Sequence, residues 1–157
     1  MNGANLADGN LQKQFEDSIC NSAVGKLPHP EKLYIQHHEL YAASSRGQIG
    51  LIKRLLEGGA DASWQDGDGQ SCLWVACWNG HAAAVQLLCE AGANVDAATR
   101  SGITPLMQAT CCRKAECIKV LLANGADQNL KHGGCAGNLT ALDIAKEKNY
   151  RDCIQLL

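Results

Sequence analysis

Gly59-Ala60 returns as Gly92-Ala93 and again as Gly125-Ala126, each time 33 residues further along the chain. The same step relates Ala43, Ala76 and Ala109, then Leu40, Leu73 and Leu106, and also Ile52, Val85 and Ile118. The next return comes three residues late, with Thr104 answered by Thr140 and Leu106 by Leu142. A fixed period of this length means a stack of like units, none of which can bury its apolar face alone.

The unit itself is clearest from Gly69 to Gly92, GQSCLWVACWNGHAAAVQLLCEAG, which reads as two short helices joined by a tight turn. The pattern predicts inner helices at His38–Ser45, Ser71–Trp78 and Thr104–Cys112, and outer helices at Ile49–Glu57, His81–Glu90 and Ala115–Ala123. Thr104-Pro105 is a strong helix start, a capping hydroxyl followed by a proline whose missing N–H costs nothing at the first helical position. Gly59, Gly92 and Gly125 fall just past the outer helices, where a left-handed residue closes the last turn. Polar stretches with turn residues follow, ADASWQDGDG, ANVDAATRSG and ADQNLKHGGCAGN, and are expected to project as β-hairpin-like arms. The third carries the three extra residues, at HGGCAG. A fourth unit, TALDIAKEKNYRDCIQLL, has the polar face of a capping repeat and stops partway through its outer helix, as in a piece of a longer protein.

Composition narrows the interior. Apolar residues make up 46% of the chain but aromatics only 4%, so the core must be built from Leu, Ala, Val, Ile and Cys, small enough for helices to approach closely. A net charge of -2 gives no basic face for nucleic acid, and the apolar runs are too short to span a bilayer. Nine cysteines are present, and the start of the chain lacks a charged-then-apolar export pattern. A reducing location, cytoplasmic and/or nuclear, with free thiols is therefore the expectation.

Residues 1–35 form a leader. Leu11, Phe15 and Ile19 fall at i, i+4 and i+8, one face of a short helix over Leu11–Cys20 that Asn10 can cap and that is expected to lie over the open end of the stack. Pro28 and Pro30 end this segment, and PEKLYIQHHELYAASS is predicted to run as a helix into the first unit.

The third unit, ITPLMQATCCRKAECIKVLLANGADQN, resembles an ankyrin repeat, whose pattern runs TPLHxA, a helix turn, xxLL, then GADxN. The resemblance covers residues 36–157, as repeats 36–68, 69–101, 102–137 and an incomplete 138–157. It implies an all-α solenoid of stacked helix-turn-helix units, with inner helices and loop tips lining a concave face. It also implies a non-catalytic scaffold or adaptor that binds a protein or peptide in that groove, with no cofactor. Asn129 matches the hairpin Asn that an asparaginyl hydroxylase modifies in some ankyrin repeats, and Asp96 holds the equivalent place. Two departures stand out. The family's His in TPLH is replaced by Tyr41, Trp74, Met107 and Asp143, so apolar stacking must take over there, and Asp143 needs a polar partner. The turn glycine of the third repeat is Arg113, for which a left-handed backbone is strained, so a different local turn is expected.

On this framework Trp78 is the leading candidate for a binding residue, since it maps to a solvent-facing concave position and Trp dominates interface hot spots; the competing reading folds it over the neighbouring repeat. Trp64, at the root of the first loop, would extend the same patch, while Trp74 reads as core. Asn79, Cys111 and Cys112 sit at the ends of inner helices on the same face. The loops run from acidic (Asp61, Asp66, Asp68) through Arg100 to Lys131 and His132, which would orient a partner, with Asp68, Arg100, Ile103 and Lys131 setting register. Asp66 also suits simple turn closure.

Other chemistries fail on their spacing. His132 and Cys135 stand three apart and Cys111-Cys112 is a pair, but the pair lies at the wrong end of its helix and neither half has CxxC spacing, so no metal is expected. Cys72, Cys77, Cys89, Cys117 and Cys153 fall at packing positions, whereas Cys112 beside Arg113 and Lys114 has a cationic setting. DGDGQSCLWVAC lacks the glycine and final Glu of a calcium loop, and VGK at Lys26 is no phosphate loop. The histidines show no catalytic spacing, and His81 belongs to the Gly-His turn. Two alternatives stand beside the interaction module: a thiol- or metal-responsive regulatory protein, and the ankyrin part of a larger enzyme. A monomer is expected, with homo-association compatible.

Overall fold

The computed structural model describes residues 30–132 and 138–157. The Leu11–Cys20 helix and Cys135 lie outside the described residues. Helices α1 (Pro30–Arg46), α3 (Cys72–Asn79), α5 (Pro105–Cys111) and α7 (Ala141–Glu147) pack in sequence as an inner layer. Helices α2 (Ile49–Glu57), α4 (Ala82–Glu90), α6 (Ala115–Ala123) and α8 (Arg151–Ile154) form the outer layer, each packed on its inner partner. This is the all-α solenoid that the family resemblance implies. Helix α1 is twice the length of the other inner helices and runs unbroken through Ile35 and Gln36, so the leader's last residues are helical with the first repeat.

Hydroxyl caps start three of the inner helices. Ser71 Oγ accepts from Trp74 N at 3.0 Å, and Thr104 Oγ1 from Met107 N at 3.3 Å with Pro105 at the first helical position. Thr140 and Asp143 form a reciprocal capping box, the Thr140 N–H and hydroxyl donating to Asp143 Oδ2 at 3.0 and 2.8 Å. That supplies the polar partner Asp143 requires. Each such cap is worth about 1 kcal/mol.

The Gly-Ala pairs have a common physical origin. Gly59, Gly92 and Gly125 have φ of 90°, 83° and 85°. The Ala that follows turns inward, and its N–H bonds a carbonyl in the last turn of the outer helix: Ala60 to Leu55, Ala93 to Leu88, Ala126 to Leu121, all at 3.0 Å. Glycine supplies the left-handed turn, and the buried Ala supplies a side chain small enough for the interior. The inner helices end in the same way, with Gln48, His81, Lys114 and Tyr150 donating to Ala43, Ala76, Ala109 and Ala145. Both alanine series thus sit at the same hydrogen-bonded turn, in buried positions that call for a small side chain. Between the layers Leu40, Leu73 and Leu106 and Ile52, Val85 and Ile118 are all but wholly buried. Each contributes about 1.5–3 kcal/mol of apolar burial.

The β-hairpin-like arms are short, each closed across its base by one main-chain bond: Asp66 N to Gln70 O, Thr99 N to Ile103 O and His132 N to Leu139 O, at 3.0, 3.0 and 2.9 Å. Single antiparallel bridges form at Gln65–Ser71 and His132–Leu139. The Asp66 carboxylate reinforces the first arm, its Oδ1 accepting from Asp68 N at 2.9 Å and Gln70 N at 2.8 Å. One expectation requires correction: the turn of the third repeat does not differ from the others. Arg113 is left-handed, with φ of 55°, as Asn149 is in the fourth repeat, where Gly47 and Gly80 serve the first two.

Candidate functional site

The inner-helix face is built from two rows. Tyr41, Trp74, Met107 and Asp143 form the first row, and Ser45, Trp78, Cys111 and Glu147 stand about one helical turn further on. Trp74 is buried and presents its ring edge-to-face to Trp78, with centroids 4.9 Å apart at 78°. Trp78, propped in this way, stays 50% exposed and is not folded down over its neighbours. The buried Trp74 Nε1 has no hydrogen-bond partner among the described residues, which leaves the position held by packing alone. Asn79 is tied back to the helices, donating to Val75 O at 3.0 Å and to Ser45 Oγ of the preceding repeat at 3.4 Å. Cys111 and Cys112 are half-buried, and Gln108 Nε2 donates to Cys112 Sγ at 3.4 Å.

Trp64, Asp68, Arg100, Ile103 and Lys131 occupy the opposite end of the inner helices, on the loops. Helix α3 separates the two groups by roughly 10 Å, at 1.5 Å per residue. Trp64 therefore does not extend the Trp78 patch. Its ring packs on α1, 5.9 Å from His37, 4.9 Å from His38 and 6.2 Å from Tyr41. Tyr34 continues this aromatic group, 4.3 Å from His38 and 61% exposed. Sequence reasoning missed it, although Tyr34, His38 and Tyr41 fall at i, i+4 and i+7 on one face of α1. Tyr41 is anchored by donating to Gln70 Oε1 at 2.8 Å, and burial, with the Asp66 carboxylate nearby, raises its phenol pKa.

The loops are held in register by one main-chain bond and by side-chain contacts to main chain. Arg100 N donates to Asp68 O at 3.0 Å, and His132 Nδ1 lies 2.7 Å from Ser101 O. Asp127 N donates to Asp96 Oδ1 at 3.0 Å. The charged ends of Asp68, Arg100 and Lys131 are exposed, and none forms an ion pair among the described residues. Ile103 is different: half-buried against the core, its N–H bonds Thr99 Oγ1 at 3.2 Å. Asn129 is exposed, with its N–H and Nδ2 both directed at Asp127 Oδ1. Among the thiols, burial pushes Cys72 up to about 12 and Cys89 to about 11, and also raises Cys77, Cys111 and Cys153. The described His, Cys, Asp and Glu side chains form no cluster able to hold a metal ion. No described helix is long and apolar enough to cross a membrane.

A family model for ankyrin repeats, in three copies, matches residues 40–132. The chain belongs to the ankyrin repeat family. Among its relatives, human ankyrin repeat domain-containing protein 63 is 33% identical over 109 residues, covering 68% of this chain and 28% of the relative. Human ankyrin repeat and KH domain-containing protein 1 is 39% identical over 87 residues, 55% of this chain and 3% of that one. The probable E3 ubiquitin-protein ligase XBOS33 of Oryza sativa subsp. japonica is 29% identical over 157 residues, 75% of this chain and 30% of the ligase. The chain thus spans less than a third of the length of these curated relatives. Ankyrin repeats in general serve as protein–protein interaction modules, and they sit within proteins of very different activities. The fold alone therefore does not fix the role of the whole.

Proposed function

We propose that this ankyrin stack is a non-catalytic binding module for a protein or peptide, and that the partner docks on the inner-helix face with Trp78 as its anchor. The half-exposed Trp78 ring, held edge-on by a buried Trp74, carries the reading. A large apolar ring that is fixed before binding loses little conformational freedom on contact, and rings of this kind concentrate binding energy. Asn79, Cys111 and Cys112 would border the anchor. Asp68, Arg100 and Lys131 would steer the partner from the loop end, and Ile103 would help to position that loop.

The test is affinity capture from native lysate with wild type and Trp78→Ala, after urea denaturation has established that both are folded. A partner retained by the wild type should bind Trp78→Ala at least about 30-fold more weakly, the loss of about 2 kcal/mol typical of a hot spot. Equal capture by both would move the working surface to the aromatic group around Trp64.

A further inference from the structure

Three rows of the repeat change character at the first unit. Ala84, Cys117 and Cys153 are buried in the outer helices of the second, third and fourth repeats, yet Leu51 at the same place in the first is 36% exposed. Cys72, Pro105 and Ala141 are buried at the start of their inner helices, whereas Glu39 is exposed. Val75, Gln108 and Ile144 are buried about one turn later, and Ala42 is only half-buried. Each later helix packs on its counterpart in the repeat before it, and among the described residues the first repeat has no such cover. Ile35, 56% exposed, stands four residues before Glu39 and seven before Ala42, so it extends the same stripe of α1. A terminal unit of a stack needs a polar outer face, which Ile35, Ala42 and Leu51 do not supply. We propose that the leader segment Leu11–Cys20 docks as an amphipathic helix on this open end, with Leu11, Phe15 and Ile19 against Ile35, Ala42 and Leu51.

The leader suits this face in pattern, reach and charge. At about 100° per residue, Leu11, Phe15 and Ile19 share one side of a helix, while Lys13, Glu16 and Asp17 fall on the other. Docked by its apolar side, the segment hides the open face and presents the polar exterior that a stack end requires. The chain from Cys20 to Pro30, at up to about 3.6 Å per residue, spans as much as roughly 35 Å. Helix α1 is about 25 Å long at 1.5 Å per residue, so every part of the patch is within reach. Tethering also holds the leader at an effective concentration in about the millimolar range, so a small patch suffices to retain it. A second copy is the poorer occupant. A two-fold contact through this face would bring Glu39 of each copy toward the other, and like charges in a contact are costly.

In the full chain, Leu51 should be replaced by the photocrosslinking residue p-benzoylphenylalanine, irradiated, and the monomer digested for mass spectrometry. The expected product joins position 51 to a residue of Leu11–Cys20 in the same chain. Hydrogen exchange of the wild type should be at least about tenfold slower over Leu11–Cys20 than in Leu51→Asp or Phe15→Asp. Phe15→Asp alters no residue of the repeats, so it decides the exchange comparison even if circular dichroism shows that Leu51→Asp unfolds the stack. Cross-links confined to residues 30–157, cross-links between two copies, or leader amides that exchange equally fast in wild type and Phe15→Asp would each overturn the proposal.

Discussion

Arg113, left-handed at φ 55°, holds its guanidinium carbon 5.5 Å from the ring centroid of Tyr150 in the next repeat. Its Nε donates to Asp152 at 3.1 and 3.2 Å. The same stacking runs through the whole array, since His81 lies over Gly47 and Lys114 over Gly80. In each case the residue after one turn covers the turn of the repeat before it. Arg113 thus offsets its backbone strain with two contacts that glycine lacks. Arg113→Ala should keep the strain and lose both contacts, whereas Arg113→Gly loses the contacts and relieves the strain. Urea denaturation should therefore place the Ala variant below both Gly and wild type. An Ala midpoint equal to that of Gly would mean the left-handed turn carries no strain.

Gly47 and Gly59 offer a sharper comparison, because both have positive φ, 65° and 90°, but different surroundings. A Cβ at Gly59 meets nothing within 4 Å, whereas one at Gly47 would stand 2.6 Å from His81 Nδ1. It would also displace the ring from Ser45 O, 3.1 Å from His81 Nε2. Gly59→Ala should cost about 1 kcal/mol for the backbone alone. Gly47→Ala should cost more, and His81→Ala made alongside it should recover part of the difference in a double-mutant cycle.

The reach of the sequence follows the same division. The Gly-Ala pairs and the buried alanines were legible because the left-handed turn after each outer helix favours glycine, and the alanines beside the turns are buried where a small side chain is needed. Trp78 was legible because the period assigns it a place where Ser45 and Cys111 stand. The Arg113–Tyr150 contact was not, because it joins a residue that breaks the turn rule to one displaced by the three extra residues. Trp64 was misplaced for a similar reason. The period puts it at the root of a loop, but its surroundings are set by α1, whose extra turns at the N-terminal end have no counterpart in the other repeats.

Trp74 and Trp78 should separate cleanly by stability. Trp74 is 4% exposed and its truncation leaves a cavity, so Trp74→Ala should cost about 3–5 kcal/mol. Trp78 is 50% exposed and loses chiefly its edge-to-face contact, so Trp78→Ala should cost about 1 kcal/mol. Urea denaturation followed by circular dichroism measures both. Equal losses would place Trp78 in the core.

The fourth repeat should loosen in acid. In the folded chain Asp143 is held below its ordinary 3.8 by the Thr140 N–H and hydroxyl, and Asp152 by Arg113. A carboxylate whose pKa is depressed by folding contributes stability that is fully present above its unfolded value. That contribution is lost as pH falls through the folded value, because the unfolded chain takes up the proton first. Urea midpoints measured from about pH 6 down to about pH 3 should therefore fall, with most of the drop below the unfolded carboxylate value of about 3.9. Asp143→Asn should start lower at neutral pH, having lost its charged cap, and fall less steeply. Thr140→Val removes the capping hydroxyl and should cost about 1 kcal/mol while also flattening the pH dependence, since it takes away one of the bonds that depress Asp143. An unchanged slope in both variants would assign the acid sensitivity to carboxylates elsewhere in the stack.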